Sequence, residues 1–214
     1  FLLCFDENIR KSVKVMDNNN PDAIKVVLIG DAGTGKTSLL TRWVEDRFDP
    51  SQRATIGVAF KLVNFEYENE QHMIQIWDTA GQESFRSTSP LYCRNAQSAM
   101  VVFDITSKSS FDSLTEWIQI LQQDNDDINF LIVGNKCDLE EREVSYEQAS
   151  QFAKNLKMEY IETSATKNKY VNEAFSAVAA LAINSRKRNS PQTEGVQQID
   201  LSSQPGNKKN KDCC

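Results

Sequence analysis

An α/β domain, with a six-stranded, mostly parallel sheet carrying one antiparallel edge strand and helices on both faces, is what this 214-residue sequence predicts. Three observations lead there. Short runs that are almost continuously apolar or β-branched recur along the chain, as strands covered on both faces require. Between them lie longer segments with apolar residues at helical spacing. In one place two strand-like runs follow each other with only a turn between them, which predicts a hairpin.

The first run is IKVVLI (24 to 29), and a helix is expected over 38 to 44 after the glycine-rich stretch that follows it. Residues 58 to 67 and 73 to 77 form the expected hairpin, with its turn near Asn69. AMVVFDI (99 to 105) is the next strand, and Phe111, Leu114, Trp117, Ile118 and Leu121 then recur with a helical period. NFLIVGN (129 to 135) precedes a helix whose start is marked by Ser145 and Gln148, a capping-box spacing ahead of Tyr146, Ala149, Phe152, Ala153 and Leu156. MEYIET (158 to 163) and a helix over 171 to 183 complete the alternation. Residues 1 to 21 read as an extension without ordered structure, 15 of them ahead of Met16. Residues 186 to 214, rich in Ser, Gln, Asn, Pro and Gly, read as a flexible tail after a domain spanning 22 to 185.

Composition excludes several functions. With 24 basic and 30 acidic residues, the formal charge of -6 argues against nucleic acid as a partner. Five cysteines (Cys4, Cys93, Cys137, Cys213, Cys214) and one histidine supply neither a disulfide framework nor a zinc ligand set, which fits a reducing, cytoplasmic setting. No apolar run is long enough to span a bilayer.

The chemistry begins at GDAGTGKTS: Gly30, Asp31, Ala32, Gly33, Thr34, Gly35, Lys36, Thr37 and Ser38. Its pattern G-x-x-x-x-G-K-T sits between an expected strand and an expected helix, where a phosphate loop belongs. There, glycines let backbone N–H groups turn toward phosphate oxygens and the helix N-terminus adds positive partial charge. The Lys36 ammonium reaches the β- and γ-phosphates, and the Thr37 hydroxyl serves magnesium. The base is specified later. GNKCD places Asn135, Lys136 and Asp138, and TSAT places Ser164, Ala165 and Thr166, each beyond a strand end on the edge where ligands bind. A carboxylate at Asp138 accepts from the N1–H and 2-amino groups of guanine, which adenine does not offer.

GDAGTGKT, TIG, WDTAGQE, NKCD and SAT, in this order and spacing, resemble the small GTPases of the Ras superfamily, whose G domain is a P-loop NTPase fold. The resemblance implies GTP and GDP as ligands and Mg2+ as cofactor. It implies Thr55 and Asp78 beside Thr37 at the metal, Gly81 as γ-phosphate donor, Gln82 as orienter of the attacking water, and Lys36 as its electrostatic partner. Phe48 and the Lys136 stem pack on the base, and Ala165 offers it an N–H. IGVAFK, IQIWDTAGQESF, LYCRNA and VVFDIT are similar to the Rab family, with Phe60, Trp77 and Tyr92 as its effector-reading aromatics.

KKNKDCC resembles the Rab double-prenylation site at Cys213 and Cys214, since stable anchoring takes two lipid chains. The implied protein is a monomeric regulator of vesicle trafficking. It works with an exchange factor, a GTPase-activating protein, a GDP-dissociation inhibitor or escort protein, and effectors. It cycles between cytoplasm and the cytosolic face of intracellular membranes, leaning toward endosomes. Gln52, Ala32, Ala59 and Ser84 depart from common family residues, and Arg53 reads as a solvated charge.

Overall fold

The computed structural model describes residues 10–12, 22–81, 93–123 and 125–189. Its strands are β1 (Arg10–Ser12), β2 (Ile24–Ile29), β3 (Val58–Tyr67), β4 (Glu70–Thr79), β5 (Ser98–Asp104), β6 (Asn129–Asn135) and β7 (Glu159–Glu162). The helices are α1 (Lys36–Glu45), α2 (Lys108–Asp112), α3 (Leu114–Gln122), α4 (Tyr146–Asn155) and α5 (Val171–Asn189). One sheet holds them in the order β1-β3-β4-β2-β5-β6-β7. The pairs β2–β4, β2–β5, β5–β6 and β6–β7 are parallel, and β3 runs antiparallel to β4.

All six expected strands are present, and a seventh lies outside them. Arg10–Ser12, inside the stretch expected to lack order, pairs antiparallel with β3, opposing Arg10 to Glu66 and Ser12 to Asn64. Strand β3 is therefore next to the edge. An edge strand leaves a row of backbone donors and acceptors unpaired, and any nearby segment of the chain can take them; this short one carries no apolar signature to announce it.

Period-two alternation divides the core. Val26, Leu28, Met100 and Val102 point to one face, with Trp43 and Phe175 stacked there at 4.6 Å between α1 and α5. Val27, Ile29, Ala99, Val101 and Phe103 point to the other, where Phe111, Trp117 and Ile118 cover them. A strand flanked on both faces must be largely apolar, and every residue of β5 is buried, with polar side chains only at its ends, Ser98 and Asp104.

Local chemistry explains the details that the sequence pattern left open. The hairpin turns on Glu68 and Asn69, both left-handed at φ 52° and 63°, which suits the right-handed twist of the two strands. The helix expected around Phe111 to Leu121 is two: Ser107 caps α2 by accepting from the Ser110 N–H, and a break at Ser113 precedes α3. Ser145 accepts from the Gln148 N–H, the expected start of α4. Helix α5 runs six residues beyond the expected end, to Asn189.

Candidate functional site

The C-terminal ends of β2, β4, β5 and β6 converge on the loop that joins β2 to α1. Gly30 adopts φ 132°, and a Cβ there would stand 2.1 Å from the Val102 carbonyl oxygen, so the chain leaves the sheet only because this residue has no side chain. Gly35, at φ 93°, lets the Asn135 side chain approach, since a Cβ would meet Asn135 Nδ2 at 2.3 Å. Asn135 Nδ2 donates to the Thr34 carbonyl at 2.8 Å and its Oδ1 accepts from Thr163 Oγ1 at 3.2 Å. This one buried amide therefore ties the phosphate-loop motif to β6 and to the end of β7.

Lys36 is buried and bridges the loop, donating to the carbonyls of Gly30 at 2.7 Å and Asp31 at 2.8 Å. Burial pulls its ammonium down to about 8, partly offset by the Asp78 and Asp31 carboxylates. The protonated form is the one a phosphate attracts, and its fraction falls as pH rises through 8. GTP affinity is therefore expected to drop about tenfold between pH 7 and pH 9, by titration with a fluorescent guanine nucleotide, and Lys36→Arg is expected to flatten that profile. A wild-type profile level across this interval would refute the assignment.

Three oxygen-bearing side chains from different elements meet beside Lys36. Thr37 Oγ1 donates to Asp78 Oδ2 at 2.6 Å and lies 2.6 Å from Thr55 Oγ1. The other Asp78 oxygen, Oδ1, is buried without a hydrogen-bond partner among the described residues. Burial raises the Asp78 carboxyl above its ordinary range, against the pull of the Thr37 hydrogen bond and of Lys36 and Lys61. An all-oxygen set with one orphaned carboxylate oxygen fits a hard divalent cation such as Mg2+.

Two cavities of ≈ 190 Å³ each open here. Ala32, Gly33, Gly35, Lys36, Thr37, Ser38, Thr55, Thr79 and Gly81 line the first, together with Gln52, Arg53 and Ala54. Phe48, Asn135, Lys136, Ala165 and Thr166 line the second, which shares Gly33, Gly35, Ser38 and Gln52 with the first. The Lys136 ammonium pairs with Asp104 Oδ2 at 2.5 Å, and Arg42 Nε of α1 donates to the Ala165 carbonyl at 2.9 Å, so both loops of the second cavity are held from below. Asp138, two residues past Lys136, keeps Oδ1 buried and without a hydrogen-bond partner among the described residues.

Some expected site residues stand behind the cavities. Gly30, Asp31 and Thr34 do not line either one: the Thr34 hydroxyl donates to the Asp31 carbonyl at 3.0 Å, and Thr34 is almost fully buried. Ser164 builds its loop, its hydroxyl accepting from the Lys167 N–H at 2.9 Å while its backbone pairs with Lys169. Phe60 and Trp77 stack at 5.2 Å, with the Lys25 ammonium 4.2 Å from the Trp77 ring. Gln82, Tyr92, Cys213, Cys214 and the departure at Ser84 lie outside the described residues. Sequence reasoning missed Asp104 and Trp117 as site partners, because each meets the site across more than thirty residues with no spacing signal. Arg53, expected as a solvated charge, is exposed, and it also belongs to the wall of the first cavity.

The model of the Ras family matches residues 25–184. The chain is 38% identical over 197 residues to the Ras-related protein SEC4 of Saccharomyces cerevisiae, covering 89% of this chain and 91% of that one. It is 40% identical over 193 residues to the human Ras-related protein Rab-22A, with coverage of 89% and 97%. With the GTP-binding protein ypt2 of Schizosaccharomyces pombe it shares 42% over 158 residues, 73% and 79% of the two chains. A glycine-built loop closed by a buried lysine, two adjoining cavities and relatives matched over most of their length lead to one conclusion: the chain belongs to the Ras family, as a small GTPase of the Rab type.

Proposed function

We propose that this GTPase holds GTP with its phosphates in the cavity over Lys36 and its guanine in the cavity between Phe48, Lys136 and Ala165. The observation that carries the reading is that the two cavities share Gly33, Gly35, Ser38 and Gln52 in their walls, so that they adjoin as seats for a polyphosphate and the base joined to it. Thr37, Thr55 and Asp78 would hold Mg2+, which would supply positive charge against that of the phosphates.

Hydrolysis is attack of water in line with the γ-phosphorus. Gln82 orients the water, while Lys36 and the Gly81 N–H stabilise charge that builds on the equatorial oxygens. Loss of the γ-phosphate removes the contacts of Thr55 and Gly81, and the segments around them relax. Phe60, Trp77 and Tyr92 then present a different surface to effectors. An exchange factor, a GTPase-activating protein and a GDP-dissociation inhibitor or escort protein serve the cycle, because intrinsic turnover in this class is only of order 10⁻⁴ per second. Single-turnover hydrolysis of bound GTP is expected to slow roughly tenfold or more in Gln82→Ala with nucleotide affinity retained; equal rates would leave a nucleotide-gated scaffold without turnover as the function.

No helix among the described residues is long and apolar enough to cross a membrane. Attachment to the cytosolic face of intracellular membranes, with endosomes as the favoured compartment, is assigned to prenyl groups on Cys213 and Cys214. Detergent partitioning after incubation with prenyltransferase tests it: a double Cys→Ser variant that still partitions would remove this role from the two thiols.

A further inference from the structure

The phosphate loop contains a carboxylate. Asp31 lies between two residues of the loop, next to a cavity read as the seat of a triphosphate, and a like charge there opposes binding. It is close enough to Lys36 for its charge to oppose the fall in that ammonium's pKa. Yet Asp31 does not line the phosphate cavity, and its side chain is engaged elsewhere. Trp117, on α3 and 86 residues away, donates its indole Nε1–H to Asp31 Oδ1 at 2.9 Å. Trp117 is itself only 1% exposed and wedged among Phe111, Leu114 and Leu121 beneath the sheet, so its N–H is aimed by packing rather than by a flexible chain.

The backbone of the same residue is a junction. The Asp31 carbonyl accepts from Lys36 at 2.8 Å and from the Thr34 hydroxyl at 3.0 Å. Gly81, the expected γ-phosphate donor, packs directly on it: a Cβ at Gly81 would stand 2.4 Å from the Asp31 carbonyl carbon and 2.5 Å from the Ala32 nitrogen. Whatever fixes Asp31 therefore fixes one side of the Lys36 anchor and the surface against which Gly81 rests.

We propose that Trp117 is a positioning residue for nucleotide binding: its indole N–H holds the Asp31 carboxylate toward α3 and off the phosphate cavity, and keeps the Asp31–Ala32 peptide in place beneath Gly81. This deepens the reading of the loop as a phosphate cradle and rests on it. Removing the N–H takes away this hold on the carboxylate and lets it lean toward the phosphates, and the added repulsion is coulombic, so salt screens it.

The test uses the full chain loaded with a fluorescent GTP analogue, with dissociation followed by chase with excess unlabelled GTP. Trp117→Phe keeps an aromatic ring in the core but removes the donor together with part of the indole's volume, so the comparison across two backgrounds and two salt concentrations carries the test. It is expected to speed dissociation about tenfold at roughly 0.05 M salt, and by clearly less at about 0.5 M. Asp31→Asn, which removes the charge, is the second background: there Trp117→Phe is expected to change the rate by less than about twofold. A purely structural role for the indole predicts the same acceleration in both backgrounds and at both salt concentrations, and that result would overturn the proposal. So would an unchanged rate in Trp117→Phe. Failure of the cradle reading is distinguishable, because the wild type would then retain no guanine nucleotide at all.

Discussion

Asp138→Asn is expected to lower affinity for GTP and GDP about a thousandfold while leaving the fold intact. The Asp138 carboxylate has one oxygen buried and without a hydrogen-bond partner among the described residues, an arrangement that is unfavourable until a ligand donor arrives. Guanine supplies two adjacent donors, N1–H and the 2-amino group, and a carboxylate accepts both. Charge-assisted bonds of this kind contribute about 1.5 to 3 kcal/mol each, so loss of most of two accounts for roughly 4 kcal/mol, or about 10³ in affinity.

Asparagine has the same shape but offers one acceptor and one amide donor. It must turn N–H toward N–H at one of the two positions. The same change should improve binding of a base carrying a carbonyl where guanine has its amino group, because the new amide donates to it; xanthosine triphosphate is that probe. Competition against a fluorescent guanine nucleotide, with guanosine, xanthosine and adenosine triphosphates in parallel, measures both effects. A variant whose guanine affinity stays within about threefold of wild type would show that Asp138 does not read the base.

Gly30→Ala is the second large effect, and it acts on stability. The added methyl would sit 2.1 Å from the Val102 carbonyl oxygen and 3.1 Å from its carbonyl carbon. Both are backbone atoms of β5, which is paired with β2 on one side and β6 on the other and cannot withdraw without breaking the centre of the sheet. The glycine also adopts φ 132°, which a side chain disfavours. A loss of about 4 kcal/mol is expected, which lowers the melting temperature by about 10 °C in a domain of this size.

Gly33→Ala separates the two contributions. Gly33 has φ 79° but open space around its missing Cβ, so only the backbone strain remains, about 1 kcal/mol. Thermal unfolding of ligand-free protein by circular dichroism reads both. Equal shifts for the two variants would mean that the Val102 carbonyl is not the obstacle.

The boundaries of what the chain declares locally are visible in particular elements. IKVVLI and AMVVFDI are legible as strands because residues buried on both faces must be almost continuously apolar, whatever their neighbours in the sheet. The hairpin is legible because two strand-like runs, 58 to 67 and 73 to 77, follow each other with only a turn near Asn69 between them; the structure narrows that turn to Glu68 and Asn69. The ends are less so: α5 continues to Asn189 through Arg186, Lys187 and Arg188, where Lys187 meets Glu68 at 3.0 Å and Arg186 reaches Asp22. No local pattern marks that extension, since its partners lie more than a hundred residues earlier in the chain. Strand β1 escaped for the same reason, being called into the sheet by the open edge of β3.

By itself the sequence determined the family and the residues proposed to meet the ligand, because a G-x-x-x-x-G-K-T motif and the strands around it each require particular residue types at a short spacing, and short spacing is written in one dimension. The tertiary structure alone decided how those groups are held. Asn135 pinning the phosphate-loop motif to the far side of the cleft, Lys136 steadied by Asp104, and Asp31 held by Trp117 are contacts between residues remote in the chain. The order in which strands lie side by side sets such distances, and no window of sequence contains that order.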